Sequence, residues 1–263
     1  MHVLERDRAY LYAHPEDSLS AETVEQYLRL IAERTTGKPT QYITGHQEFW
    51  GLDFEVTPDV LIPRPETEHL VERVLEICRQ CGRPKDAALR IVDVGTGSGC
   101  IALAVASEFP RATIFGVDIS SAALTVASRN AGRLGMRERV TFLESDLLKA
   151  TADTEKPGSF DFVIANPPYV GRDELDKLQR EVSMFEPHVA LGVDLERAEE
   201  IYERLFPETL AALKPGGWVI VEMGYNMQDR VVALLREAWD ELHVTSDLAG
   251  IPRAVSARKA TSN

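Results

Sequence analysis

Between residues 20 and 36 the apolar side chains Val24, Tyr27, Leu28 and Ile31 recur at the spacing of one helical face. Ser20 stands where a cap is needed, and Glu22 and Glu25 suit the positive end, so a helix is predicted that Gly37 and Pro39 terminate. Over residues 40–62, TQYITGHQEFWGLDFEVTPDVLI, turn residues alternate with aromatic and β-branched ones, which predicts a short hairpin rather than a helix. The segment PRPETEHLVERVLEIC returns to helical spacing, with Pro65 in the first turn and Leu70, Val71, Val74, Leu75 and Cys78 on one face. From Arg90 onward strand-like runs (RIVDV, ATIFGVD, RVTFLESD, FDFVIAN, GWVIVEMG) alternate with helical ones (IALAVASEF, SAALTVASRNAGRLG, DRVVALLREAWD). That alternation builds a parallel sheet with helices on both faces. The final ELHVTSDLAGIPRAVSARK predicts two strands in a hairpin, one of them antiparallel at the sheet edge.

Composition adds constraints. A 263-residue chain with 44% hydrophobic residues can build one large domain with a smaller attachment. The net charge of −13 argues against a protein that wraps nucleic acid, whose affinity comes from Lys and Arg displacing counterions. No apolar run has the length of a signal peptide or membrane span, and Cys78, Cys81 and Cys100 are too few and odd in number for a disulfide framework. The expectation is a soluble, cytoplasmic protein. The six histidines share no helical face, and the Cys78/Cys81 pair lacks a second pair, so no metal site is predicted.

The chemistry gathers at strand ends. In IVDVGTGSGCIA, Gly95, Gly97 and Gly99 let the turn take positive φ and let a ligand touch the backbone beside Thr96 and Ser98, while the next helix offers free N–H groups. A dinucleotide fingerprint would place glycine where Cys100 stands, which argues against a dehydrogenase. Asp118 ends the next strand, about twenty residues on, where a carboxylate accepts from a ribose diol. Asp146 and Leu147 end the third, where a carboxylate could accept from an exocyclic amine and an apolar side chain could cover a purine face.

The fourth strand runs into Asn166-Pro167-Pro168-Tyr169. Two prolines make a stiff elbow whose carbonyls are aimed. If the Asn166 side-chain oxygen and the Pro167 carbonyl each accept one N–H of a planar –NH₂ group, its nitrogen lone pair is favoured to localise toward an electrophile, with Tyr169 stacked on the flat group. A sulfonium methyl donor then requires only in-line approach.

VDVGTGSGCIA, Asp118, NPPYV and the upstream YITGHQEFWGLDFEVTPDVLIPRPETE together resemble the HemK/PrmC family, the release-factor glutamine N5-methyltransferases, over about residues 37–258. The resemblance implies a Rossmann-like class I methyltransferase with a mostly parallel seven-stranded sheet and an antiparallel edge strand. It implies a shortened helical, release-factor-binding region at residues 1–39, a hairpin connector at 40–63 and the methyltransferase domain at 64–263. The donor would be S-adenosylmethionine, leaving as S-adenosylhomocysteine, and the substrate the glutamine of the Gly-Gly-Gln motif in class 1 release factors. Gly95 to Gly99 would line the donor's methionine end, Asp118 take the ribose, Asp146 and Leu147 border the adenine, and Asn166 to Tyr169 hold the amide. Phe49 and the Arg64 to Thr67 segment would border the pocket. A monomer that binds neither nucleic acid nor membrane is expected. Two departures stand out: only about forty residues precede YITG, and HVALGVDLERAEEIYERLF lacks the Gly-Gly and Asp-Gly that often follow AL in the family. The competing readings are an adenine-N6 methyltransferase, which would use the same amine geometry, and a catalytically silent nucleotide-binding module.

Overall fold

A computed structural model of the chain describes residues 1–170, 178–192, 197–235 and 238–261; the 193–196 part of the divergent stretch after Pro187 lies outside them. In α1 (Arg8–Ala13) the Asp7 carboxylate accepts the Tyr10 N–H, and in α2 (Ala21–Thr35) the Ser20 hydroxyl oxygen accepts the Thr23 N–H. The apolar face of α2 exists but is not buried: Val24, Tyr27, Leu28 and Ile31 are 39, 54, 58 and 41% exposed. Periodicity orients a helix without supplying the surface that covers it.

Residues 40–44 depart from the hairpin expectation and form α3 (Thr40–Thr44), closed by Gly45 at φ 78°. Tertiary packing decides this. One helical turn carries Tyr42 into a buried cluster with Val56, Val60 and Ile62, where its hydroxyl donates to the Val60 carbonyl at 2.6 Å. The hairpin follows as β1 (His46–Phe49) and β2 (Leu52–Glu55). Its turn residues Trp50 and Gly51 both have positive φ, as a tight hairpin requires.

A 3-10 turn at Pro65–Thr67 leads into α4 (Glu68–Gln80), which buries Leu70, Val71, Val74, Ile77 and Cys78. The alternating region then runs β3 (Arg90–Val94), α5 (Cys100–Glu108), β4 (Thr113–Asp118), α6 (Ser121–Arg133), β5 (Val140–Glu144), α7 (Lys149–Thr154) and β6 (Phe160–Ala165). It continues through α8 (Arg180–Phe185), α9 (His188–Leu191), α10 (Glu200–Ala212), β7 (Leu213–Glu222), α11 (Gln228–Leu234), β8 (Trp239–Ser246) and β9 (Pro252–Lys259). Trp239 and Asp240, expected to continue a helix, open β8 instead: Trp239 pairs with Lys259 of β9 and sets its ring edge-on to Phe206.

The sheet order is β5-β4-β3-β6-β7-β9-β8. The first five strands are parallel, and β9 is the reversed strand, the inner member of the hairpin that ends the sheet. The chain winds outward from β3 through β4 to β5 and then crosses back to β6. Strand order therefore reverses between β3 and β6, the place where open α/β sheets leave a crevice at their carboxyl ends. Among the described residues no helix is long and apolar enough to cross a membrane.

At the opposite, amino-terminal end of the central strands Asp161 of β6 is a clamp. Its carboxylate accepts from Arg83 at 2.9 Å, from the Arg90 N–H at 2.9 Å and from Lys214 at 2.7 Å. Burial alone would push this carboxyl upward, but its hydrogen bonds and the neighbouring charges outweigh burial and hold it below the ordinary range. A depressed native pKa contributes stability that is present above the unfolded value of about 3.9 and is lost as pH falls through the native one. Asp161→Asn is therefore expected to cost about 2 kcal/mol at neutral pH, the scale of hydrogen bonds to a charged group. Urea unfolding should show the gap from wild type closing below about pH 4; a gap independent of pH would remove the charge from the explanation.

Candidate active site

β3 and β6 pair with Val94 opposite Ala165, so the next residues, Gly95 and Asn166, leave the sheet side by side. A methyl group on Gly95 would stand 3.7 Å from the Asn166 carbonyl oxygen. Gly95, Gly97 and Gly99 have φ of 72°, 54° and 81°, the left-handed region that glycine enters without steric cost.

The glycine loop is held from three sides. Asp93 Oδ2 accepts from Thr96 Oγ1 at 2.7 Å and from the Ala102 N–H at 3.2 Å. Asp118 Oδ2 accepts the Gly97 N–H at 2.9 Å, while its Oδ1 accepts the Ser120 N–H at 2.9 Å. Asn130 of α6, fully buried, donates Nδ2 to the carbonyls of Ser98 at 2.9 Å and Glu55 at 3.0 Å, and its Oδ1 accepts the Glu55 N–H at 2.8 Å. Burial pushes the Asp93 carboxyl up to about 7 and raises Asp118 as well. Among the described residues Asp93 Oδ1 is buried without a hydrogen-bond partner, and the buried Ser98 hydroxyl faces the Cys100 thiol.

A cavity of about 290 Å³ opens over these strand ends, close to the lower limit of about 300 Å³ for small-molecule sites. Gly95, Thr96, Gly97, Ser98, Asp118, Asp146, Leu147, Asn166, Pro167 and Pro168, all expected at the site, line it together. Gly99 and Tyr169 are not in its wall. Gly99 caps α5, where a Cβ would meet Leu103, Ala127 and Phe142 at 3.2 to 3.4 Å. Tyr169 turns its hydroxyl to Glu222 Oε1 at 3.1 Å. Phe49, expected at the pocket, is 1% exposed in the main core, where the short hairpin sets it edge-on to Phe54. Arg64 and Thr67 do line the cavity.

Asp146 is engaged: Arg204 Nη2 lies 2.6 and 2.7 Å from its two oxygens, and Lys149 Nζ lies 2.6 Å away. Those hydrogen bonds, from Lys149 first and Arg204 next, hold its carboxyl below the usual range. Arg64 pairs with Glu186, whose side chain is 1% exposed and also accepts the Ile62 N–H at 3.3 Å. This fixes the segment before α4 against the α8–α9 corner.

Ile119 and Glu222 are among the contributors that escaped the sequence reading. Ile119 lines the cavity at 57% exposure, and the available signal was an unpaired apolar residue directly after a strand-end acid. Glu222, the last residue of β7, is 3% exposed and accepts from Thr67 Oγ1 at 2.7 Å; Asn166 Nδ2 in turn donates to Thr67 Oγ1 at 3.2 Å. Burial raises the Glu222 carboxyl above its ordinary range. The signal was an acid ending an otherwise apolar strand in VIVEMG.

Known proteins are similar to this chain. Residues 85–250 match the family model of a methyltransferase domain, and residues 1–45 match that of the PrmC N-terminal domain. The release factor glutamine methyltransferase of Koribacter versatilis is 50% identical over 263 residues, covering 100% of this chain and 89% of that protein. The protein of the same name from Geobacter sulfurreducens is 39% identical over 255 residues, covering 96% of this chain and 84% of its own. Among solved structures, the ribosomal protein L11 methylase from Lactobacillus delbrueckii subsp. bulgaricus aligns with a TM-score of 0.55 at 21% identity, covering 78% of this chain and 84% of its own. The N-terminal domain of human METTL16 in complex with SAH aligns with a TM-score of 0.57 at 15% identity, covering 81% and 77%. At those identities the structures speak for the fold alone.

Proposed function

The chain belongs to the release factor glutamine methyltransferase family, and we propose that its cavity brings the side-chain amide of a release-factor glutamine against a methyl donor held by the glycine loop. The enzyme is a protein-glutamine methyltransferase that uses S-adenosylmethionine. When bound, that donor supplies an electrophilic methyl group on a sulfonium. The walls suit it: open glycine backbone, the buried Ser98 hydroxyl, a half-buried acid at Asp118 and apolar cover from Ile119 and Leu147.

The observation that carries the reading is the adjacency of Gly95 and Asn166 at the strand-order reversal, which brings the donor loop and the amide-binding elbow to one cavity. In this reading Asn166 Oδ1 and the Pro167 carbonyl accept the two amide N–H groups. Asp118 accepts the ribose hydroxyls, and Pro167 and Pro168 keep the elbow from relaxing. Tyr169 supports the elbow from behind through Glu222. No group on the chain has to form a covalent bond with the substrate.

The glutamine belongs to the Gly-Gly-Gln motif of class 1 factors, with residues 1–39 as the docking region, 40–63 as the connector and 64–263 as the methyltransferase domain. The enzyme acts as a monomer in the cytoplasm, without nucleic acid. Incubation with S-adenosylmethionine and a release factor, followed by mass spectrometry of the Gly-Gly-Gln peptide, is expected to find one added methyl group on the glutamine. Label entering only nucleic acid in a parallel reaction would overturn the assignment.

A further inference from the structure

We propose that Thr67 and Glu222 are positioning residues for the transfer: together they lock the Asn166 carboxamide with its nitrogen turned away from the substrate and its oxygen presented to it. This rests on the functional reading above, in which that oxygen accepts a substrate N–H.

The direction of the network follows from what each group can do. An ionised carboxylate only accepts hydrogen bonds, so Glu222 draws the hydroxyl hydrogens of both its neighbours, Thr67 Oγ1 at 2.7 Å and Tyr169 at 3.1 Å. With its hydrogen so committed, Thr67 offers only lone pairs to its other neighbour. The Asn166 atom 3.2 Å away must then be the donor, Nδ2. The two ends of a carboxamide have almost the same shape, so packing alone hardly distinguishes them. Here the buried charge one residue further along makes the distinction.

The consequence is chemical. Turned over, the Asn166 side chain would set its own N–H groups against those of the substrate amide, donor against donor. Held as it is, it meets them with an acceptor. Thr67 lies 99 residues before Asn166 and 155 before Glu222, so the Pro65–Thr67 turn supplies a part of the amide site that the elbow itself lacks.

The groups facing Glu222 are Glu66 on the same turn as Thr67, Arg253 on β9, Tyr169 on the elbow, the buried Cys100 thiol on α5 and Tyr202 on α10, whose hydroxyl donates to the Glu222 carbonyl at 2.8 Å. Burial is the largest influence and raises the carboxyl, Glu66 adds to it, and the bonds from Thr67 and Tyr169 and the Arg253 charge oppose it. A protonated Glu222 becomes a donor to one neighbour and releases the constraint on Thr67. The rate is therefore expected to fall on the acid side, at a pH above that of an ordinary glutamate.

Thr67→Val keeps the shape and removes the hydroxyl, whereas Thr67→Ser keeps the hydroxyl. The assay measures kcat and KM for release-factor methylation, with donor affinity by calorimetry as the control for an intact fold. Thr67→Val is expected to lower kcat about tenfold, the kinetic equivalent of one hydrogen bond, with donor affinity within about twofold of wild type, while Thr67→Ser recovers the rate to within about threefold. Glu222→Gln should lose the acid limb of the pH profile. Undiminished kcat in Thr67→Val, equal losses in Val and Ser, or a parallel loss of donor affinity would each overturn the positioning role. A wild type that methylates no release factor would instead refute the functional reading beneath it.

Discussion

Asn166→Ala is expected to lower methyl transfer to a release factor by about 10²- to 10³-fold, the range seen when one preorganised hydrogen-bonding group is removed from a reacting centre. Asn166 stands where strand order reverses, next to the glycine loop, and its Nδ2 is engaged by Thr67; in the proposed function its Oδ1 accepts from the substrate. Alanine removes that acceptor and leaves the stiff Pro167-Pro168 turn in place. The loss should fall on kcat in single-turnover measurements, while calorimetric affinity for S-adenosylmethionine changes far less, because the loop and Asp118 are untouched. Transfer at the wild-type rate would end the role given to the elbow.

For Asp118→Ala the effect should appear in the other half of the site. This carboxylate already accepts the N–H groups of Gly97 and Ser120, each at 2.9 Å, so it braces the loop and also lines the donor cavity. Its removal frees the Gly97 end of the loop and, in the proposed function, deletes the acceptor for the ribose. Donor affinity is expected to fall about 10- to 100-fold, since hydrogen bonds to a charged group contribute about 1.5–3 kcal/mol. At saturating donor the rate should largely return. Unchanged affinity would take Asp118 out of the donor site.

The two halves of the site differed in how far they could be read from the sequence. The glycine loop, Asp118 and the proline elbow declare themselves because each is a local device: a strand, a break with unusual backbone demands, and a polar side chain at a fixed offset. Parallel alternation then brings such breaks to one edge of a sheet whatever the details of packing. Glu222 and Thr67 could not be found that way. Their contact spans 155 positions and depends on which way a short 3-10 turn faces the end of β7. Phe49 shows the converse, since an aromatic residue near a site in sequence is as readily used to fill space. Thr40–Thr44 was lost to strand propensity because burying Tyr42 outweighed it. The Asp146 ion pairs with Lys149 and Arg204 likewise required α10 to be in place, as Arg204 comes from that helix.

Asn130 limits how this enzyme can be taken apart. One buried carboxamide joins the backbone of Glu55, at the end of the hairpin, to the carbonyl of Ser98, so the hairpin is a working part of the donor loop's foundation. Cutting the chain at residue 64 to isolate the catalytic half would strip Asn130 of two of its three partners and bare the apolar ground now beneath Phe49 and Phe54. Fusions, circular permutants and minimal versions of this scaffold should accordingly keep the segment from Gly45 onward attached, and transplanting the catalytic half alone should yield a protein that binds its donor poorly even with every lining residue retained.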